Sequence, residues 1–187
     1  MHMGKLLLYH TGFHERRNPD IRAGRKNADF GQGYYLTPDR DFAQRWATER
    51  KGETTFVNAY ALETDGLNIL ELRRGEAWFD YIFQNRAGQP DSMPEYDVII
   101  GPVANDTLYD LMGMTTSGFL ERETSLRILG LGPVYTQAVI KTDRAAAQLR
   151  FLEARTLTSE EIARFRQTVR KEEEAYQLAV AETLDED

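Results

Sequence analysis

No apolar run in this chain is longer than four or five residues. A run of that length supplies one short strand or one stripe of a helix, and it is far short of the ~20 residues that a membrane-crossing helix requires. The fold must therefore be assembled from many short pieces, and the polar residues between them decide the order. Lys5–His10 reads as a strand buried on both faces, because Leu6-Leu-Leu-Tyr9 runs without alternation. Glu15–Asn27 is polar, Arg-rich and broken by Pro19 and Gly24, which predicts a long loop. Tyr34–Leu36 is the next strand, and Thr37-Pro38 predicts an N-cap and first helical position, with Phe42, Ala43, Trp46 and Ala47 on one face as far as Arg50.

Strands are expected at Phe56–Leu62, at Leu67–Leu72 after the Asp65-Gly66 turn, and at Tyr96–Ile100 before Gly101-Pro102. Trp78, Phe79, Ile82 and Phe83 define a helix ending before Gly88, followed by a loop over Ala87–Glu95. A helix is predicted at Asp106–Met112, where Asn105-Asp106 reads as its cap, and the last strands at Arg127–Leu129 and Tyr135–Thr142. Asp143 is expected to cap a short helix with Ala146, Leu149 and Leu152 inward. Thr158-Ser-Glu-Glu161 is a capping box with Leu157 and Ile162 placed as a staple. The helix it starts runs toward Ala181 on a thin stripe of Ile162, Phe165, Val169, Tyr176 and Val180, with Lys171-Glu-Glu-Glu174 as a solvated face and frayed last residues. This order predicts an α+β fold: one domain over residues 1–156 and a C-terminal helical extension over 157–187 that packs on the domain, on a partner or in a homodimer.

Composition narrows the chemistry. Nine tyrosines, nine phenylalanines and two tryptophans in 187 residues are enough for a core. The 23 basic and 30 acidic residues leave a net charge of −7, which favours a soluble protein and argues against a broad nucleic-acid face. No basic stretch followed by an apolar one opens the chain, so a cytoplasmic location is expected, without membrane attachment. Absence of cysteine removes thiol nucleophiles and thiolate metal sites. Three histidines, one of them near the N-terminus, give no reason to expect a metal, and there is no phosphate-binding Gly-x-x-x-x-Gly-Lys loop.

Two segments remain that composition does not explain. His10-Thr11-Gly12 closes the first strand, placing an imidazole and exposed backbone amides at its end. Asp29-Phe-Gly-Gln-Gly-Tyr-Tyr-Leu-Thr37 brings two adjacent tyrosines into the next strand, one facing the core and one a cleft. Taken singly, His10 would be a satisfied polar residue and Trp46 part of a core; Gln137 would be an ordinary edge-strand residue. Arg16, Arg17, Arg22 and Arg25 would belong to a solvated loop or would grip a pyrophosphate or an acceptor.

Together the segments resemble the ADP-ribosyltransferase superfamily in its diphtheria-toxin and poly(ADP-ribose)-polymerase branch. Leu8-Tyr-His-Thr-Gly12 is similar to the first signature, Phe30-Gly-Gln-Gly-Tyr-Tyr-Leu36 to the second, and Tyr135-Thr-Gln-Ala-Val-Ile140 to the third. Residues 5–152 as a whole, including Tyr96–Asp106, resemble a family of uncharacterised bacterial proteins assigned to that superfamily. The resemblance implies two small, mostly antiparallel sheets flanking an NAD cleft. It implies that His10 bonds a ribose hydroxyl of NAD, that the backbone of Thr11 grips the nicotinamide carboxamide, and that Tyr35 and Trp46 stack on the nicotinamide. Gly12, Gly33 and Ala43 complete the implied cofactor site, and Gln137 stands where the family has its catalytic glutamate, with His10 and Tyr35 as the other implied catalytic positions. Two departures bear on activity. Thr11 replaces the usual glycine, and Gln137 can bond a hydroxyl but carries no charge and cannot act as a base. The implied activity is mono-ADP-ribosylation of an unknown acceptor, a protein more than a nucleic acid, in a toxin-like or defence role by analogy. The alternatives are a degenerate domain that binds NAD or a protein, and an NAD glycohydrolase.

Overall fold

The computed structural model describes residues 4–104, 118 and 121–185. Among them are strands β1 (Lys5–Gly12), β2 (Tyr34–Leu36), β3 (Phe56–Glu63), β4 (Ile69–Glu71), β5 (Val98–Pro102), β6 (Thr136–Ile140) and β7 (Leu149–Thr156). The helices are α1 (Arg40–Arg45), α2 (Glu76–Arg86), α3 (Arg122–Leu129), α4 (Asp143–Ala147) and α5 (Ser159–Asp185). The fold is α+β, with one sheet in the order β1-β3-β7 and a second in the order β2-β6-β5-β4. Every pairing is antiparallel except β4 with β5, which are joined through α2 as a parallel crossover must be.

Period-two alternation sorts the side chains into layers. Leu8, Tyr60 and Leu62 of the first sheet meet Tyr34, Leu36, Val98, Ala138 and Ile140 of the second in one buried cluster between the sheets. The opposite face of the second sheet packs Ile99 and Val139 against Trp78, Phe79 and Ile82 of α2 and Ile128 and Leu129 of α3. The outer face of the first sheet carries Val57 beneath Ala43 and Ala47, with Leu157 and Ile162 beside them. At 27 residues, α5 is about 40 Å long. Its first turns lie on this outer cluster and Tyr176 reaches the α2–α3 layer.

Several elements differ from the sequence expectation. β1 is an edge strand, not one buried on both faces: Leu7 is 52% exposed. Asp39, not Thr37, caps α1, since its carboxylate accepts from the amides of Asp41 and Phe42, and the helix stops at Arg45. Thr37 instead exchanges two backbone bonds with Tyr9, which extends β2 and delays the helix. β5 runs through Gly101-Pro102, because Pro102 sits at its end, where no ladder donor is needed. Arg127–Leu129 is the last turn of a helix, with Thr124, Ser125, Ile128 and Leu129 buried at helical spacing. Thr142 caps α4, and Leu149 and Leu152 belong to a strand that the sequence reading missed. α5 continues past Ala181 to Asp185, so Leu184 and Asp185 are helical rather than frayed. The expected cap Asn105-Asp106 and helix Asp106–Met112 lie outside the described residues.

Candidate functional site

β1 and β3 are in a register that sets His10 opposite Asn58. Both side chains fall on the inner face of the first sheet, the face that carries Leu8 and Tyr60. The imidazole leans on the Tyr34 ring, with centroids 4.7 Å apart, and its Nδ1 lies 2.9 Å from the carbonyl oxygen of Tyr35. A carbonyl only accepts, so Nδ1 carries the proton and Nε2 is left as an acceptor. Burial is the main reason the imidazole titrates below the ordinary histidine range; the Tyr35 bond opposes this and the nearby Arg16 charge reinforces it. His10 is thus neutral at pH 7, with Nε2 toward Gly12, where a β-carbon would lie 3.3 Å away. Glycine at position 12 keeps that acceptor uncrowded.

Thr11 points to the other face, where its hydroxyl donates to the carbonyl of Ala43 (2.5 Å) and locks α1 to the end of β1. Thr11 is thus a strut between β1 and α1. Gly33 has a packing reason of its own, since a β-carbon there would lie 2.5 Å from Val139 Cγ1 and 2.7 Å from the Ile140 carbonyl.

Tyr34 faces the core between the sheets, and its hydroxyl pairs with that of Tyr60 at 2.9 Å. Tyr35 lies on the opposite face, half-buried, where its hydroxyl accepts from the Phe30 amide and donates to the Gly31 carbonyl. Burial pushes both phenols far above their ordinary range, so both stay neutral. Tyr35 pairs with Val139, two residues from Gln137, which places Gln137 on the same sheet face. Gln137 is only 4% exposed; its amide donates to Asp29 Oδ2 at 2.8 Å and to the Pro102 carbonyl at 3.3 Å. Asp29 in turn holds Arg86 in a buried ion pair and accepts from the Ala104 amide. Tyr35 and Gln137 therefore converge on one loop, Asp29–Gly31.

Trp46 ends α1 and packs edge-on against Phe42, which stacks on Tyr135 with centroids 4.3 Å apart. These rings line a cleft of about 430 Å³, together with Arg45, Ala104 and, from α5, Glu172 and Tyr176. The bonds above tie His10 to the backbone of Tyr35 and Thr11 to the backbone of Ala43, while the Tyr35 ring lies with Gln137 on the far face of the second sheet; Trp46 stands one helical turn beyond Ala43. Glu172 corrects the reading of Lys171–Glu174 as wholly solvated: its carboxylate bonds the Tyr135 hydroxyl at 2.8 Å and pairs with Arg45.

A family model described as "Protein of unknown function (DUF3990)" matches residues 6–151. The chain belongs to the DUF3990 family. No curated protein and no solved structure matches it. In this DUF3990 member the matched stretch begins in β1 and ends in β7, so it contains every candidate site residue except those of α5.

Sequence reasoning missed four residues around these candidates. Asp29, ahead of Phe-Gly-x-Gly, anchors Gln137, and a lone acid before two glycines offers little signal. Asn58 was visible as an amide inside an apolar strand. It accepts from the Arg16 amide and donates to the His14 carbonyl, so it shapes the loop after β1. Tyr135 was readable as the strand neighbour two residues before Gln137. Lys141 was overlooked: its ammonium bonds the Phe30 carbonyl, the Tyr81 hydroxyl and Asp91, bracing the same loop from behind. Among the loop arginines, Arg22 pairs with Asp143, Arg17 pairs with Glu15 and lies over Phe151, and Arg25 is exposed.

Proposed function

We propose that the protein is a mono-ADP-ribosyltransferase of the kind its sequence signatures resemble, binding NAD at the ends of β1 and β2 and beside α1. The observation that carries this reading is the His10–Tyr35 contact. It joins two signature segments 25 residues apart and forces the tautomer whose Nε2 accepts a hydroxyl proton. A ribose hydroxyl is such a donor. The aromatic cleft at the end of α1 supports the reading from the nicotinamide side, where stacking on Trp46 or Tyr135 would add about 0.5–1.5 kcal/mol per ring beyond burial.

In the reaction, the bond between the nicotinamide nitrogen and the ribose anomeric carbon breaks and its electron pair leaves with nicotinamide. The ribose becomes oxocarbenium-like, and a nucleophilic acceptor attacks the same carbon and loses its proton. Positioning and electrostatics carry most of such a step. Gln137 is neutral, so it contributes a hydrogen bond and no charge, and transfer of single units is the outcome to expect.

One observation favours a second reading, a domain that binds NAD without consuming it. The Gln137 amide is buried and already engaged by Asp29 and Pro102. NAD labelled in its adenylate half separates the possibilities. Label on a macromolecule supports transfer, free ADP-ribose indicates a glycohydrolase, and intact NAD that still raises the melting temperature indicates binding alone. A thermal shift unaffected by His10→Ala and by Tyr35→Ala, or no shift at all, would remove NAD from this site.

A further inference from the structure

Arg16 follows the candidate histidine by six residues, and its backbone is held at both ends. Its amide donates to Asn58 Oδ1 at 2.9 Å and its carbonyl accepts from the Tyr60 hydroxyl at 2.6 Å. Both partners are buried residues of β3, so the first sheet sets where this loop residue stands. Its side chain lies in the same neighbourhood as His10, Tyr34 and Tyr60, whose titrations all feel its positive charge.

The guanidinium itself is left open. Its Nε is buried without a hydrogen-bond partner, and among the described residues no carboxylate pairs with it. The other loop arginines with nearby acids, Arg17 and Arg22, are paired with Glu15 and Asp143. A buried guanidinium N–H with no acceptor is unfavourable, and an anion within its reach would complete it. The groups around it are a neutral imidazole and two neutral phenols, none of which supplies that charge. Guanidinium geometry suits two oxygens of one phosphate.

We propose that Arg16 is the phosphate-binding residue of this site, taking the diphosphate of a ribose-containing nucleotide whose hydroxyl is accepted by His10 Nε2. The inference rests on the NAD reading for the identity of the nucleotide and extends it to the residue that recognises the phosphates. It is also a claim about selectivity: adenosine and nicotinamide alone would not engage Arg16, whereas ADP, ADP-ribose and inorganic pyrophosphate would.

Calorimetry with ADP, pyrophosphate and adenosine on the full chain tests it. ADP and pyrophosphate should bind the wild type, and Arg16→Gln should weaken both about tenfold or more, as loss of a charge-assisted hydrogen bond predicts. Adenosine binding should be unchanged, and Arg22→Gln, in an exposed pair with Asp143, should leave all three unchanged. A wild-type measurement covers the case in which Arg16→Gln fails to fold. In a ¹⁵N-arginine spectrum, the Arg16 Nε–H signal should shift on addition of pyrophosphate. No such shift, or equal affinities for wild type and Arg16→Gln, overturns the proposal. Arg16-dependent ADP binding with labelled NAD left intact would uphold the phosphate site and reject the transferase. NAD turnover with an unchanged KM in Arg16→Gln would do the reverse.

Discussion

Gln137 is where a single atom changes the electrostatics of the site. Its Nε2 faces Asp29 Oδ2 at 2.8 Å, so Gln137→Glu places two carboxylates in one buried contact. The expected cost is roughly 3 kcal/mol at neutral pH. Like charges raise the pair's apparent pKa above the unfolded value, so the lost stability returns as the pH falls through that raised value toward the ordinary carboxylate range. Denaturant titrations at pH 7.5 and pH 4.5 check this, and equal losses at both would mean that the two groups do not interact. At Gly33, the 2.5 Å approach of Val139 leaves no room for a methyl. Gly33→Ala should cost about 1–3 kcal/mol by thermal melting, which gives this glycine a packing role whatever it does for a ligand. His10 has its folded pKa depressed, so its contribution to stability is full above the ordinary histidine pKa and is lost as the pH falls through the folded value. An NMR titration should find His10 protonating below the ordinary histidine range. The sequence made His10, Tyr35 and Trp46 visible because motif spacing survives without coordinates. It could not show the Asp29–Gln137 contact, whose partners are 108 residues apart.

Elements were legible where local chemistry is strong and ambiguous where it is short. The capping box at Thr158–Glu161 forms as its sequence spells it: the Thr158 hydroxyl accepts from the Glu161 amide at 3.2 Å, and the Glu161 carboxylate accepts from the Thr158 amide at 2.9 Å. That backbone bond, aided by Arg155, draws the Glu161 carboxyl down to about 2. Its support for α5 is therefore present above the ordinary glutamate value and lost as the pH falls toward 2. Thr158→Ala should cost about 1 kcal/mol, and Glu161→Gln should flatten the pH dependence of stability between pH 5 and 2, both read by circular-dichroism melts. By contrast, Arg127–Leu129 gave only three residues of apolar character, too few to separate period 2 from period 3.6. Leu149–Thr156 was hidden because its polar positions match an exposed edge strand as well as a helix surface. What makes it a strand is pairing with β3, a contact that spans about half of the chain.

Across the whole molecule, α5 touches both the outer cluster of the first sheet and the layer behind the second. Tyr176 is buried there, with its hydroxyl donating to the Ile128 carbonyl at 3.1 Å. Tyr176→Ala should destabilise the protein by about 3 kcal/mol and, in limited proteolysis, expose the helix ahead of the sheets. Uniform cleavage of both would mean that the helix is not a separate layer. The two sheets themselves are joined at a single described bridge beside the candidate histidine. There, the Tyr9 amide donates to the Thr37 carbonyl at 2.8 Å and the Thr37 amide to the Tyr9 carbonyl at 2.9 Å. Those two amide protons meet water only when the sheets part at that point. Their hydrogen-exchange rates are therefore a clock on the parting of the sheets, and a ligand that holds both sheets should slow Tyr9 and Thr37 together while leaving the far end of β1 at its own pace.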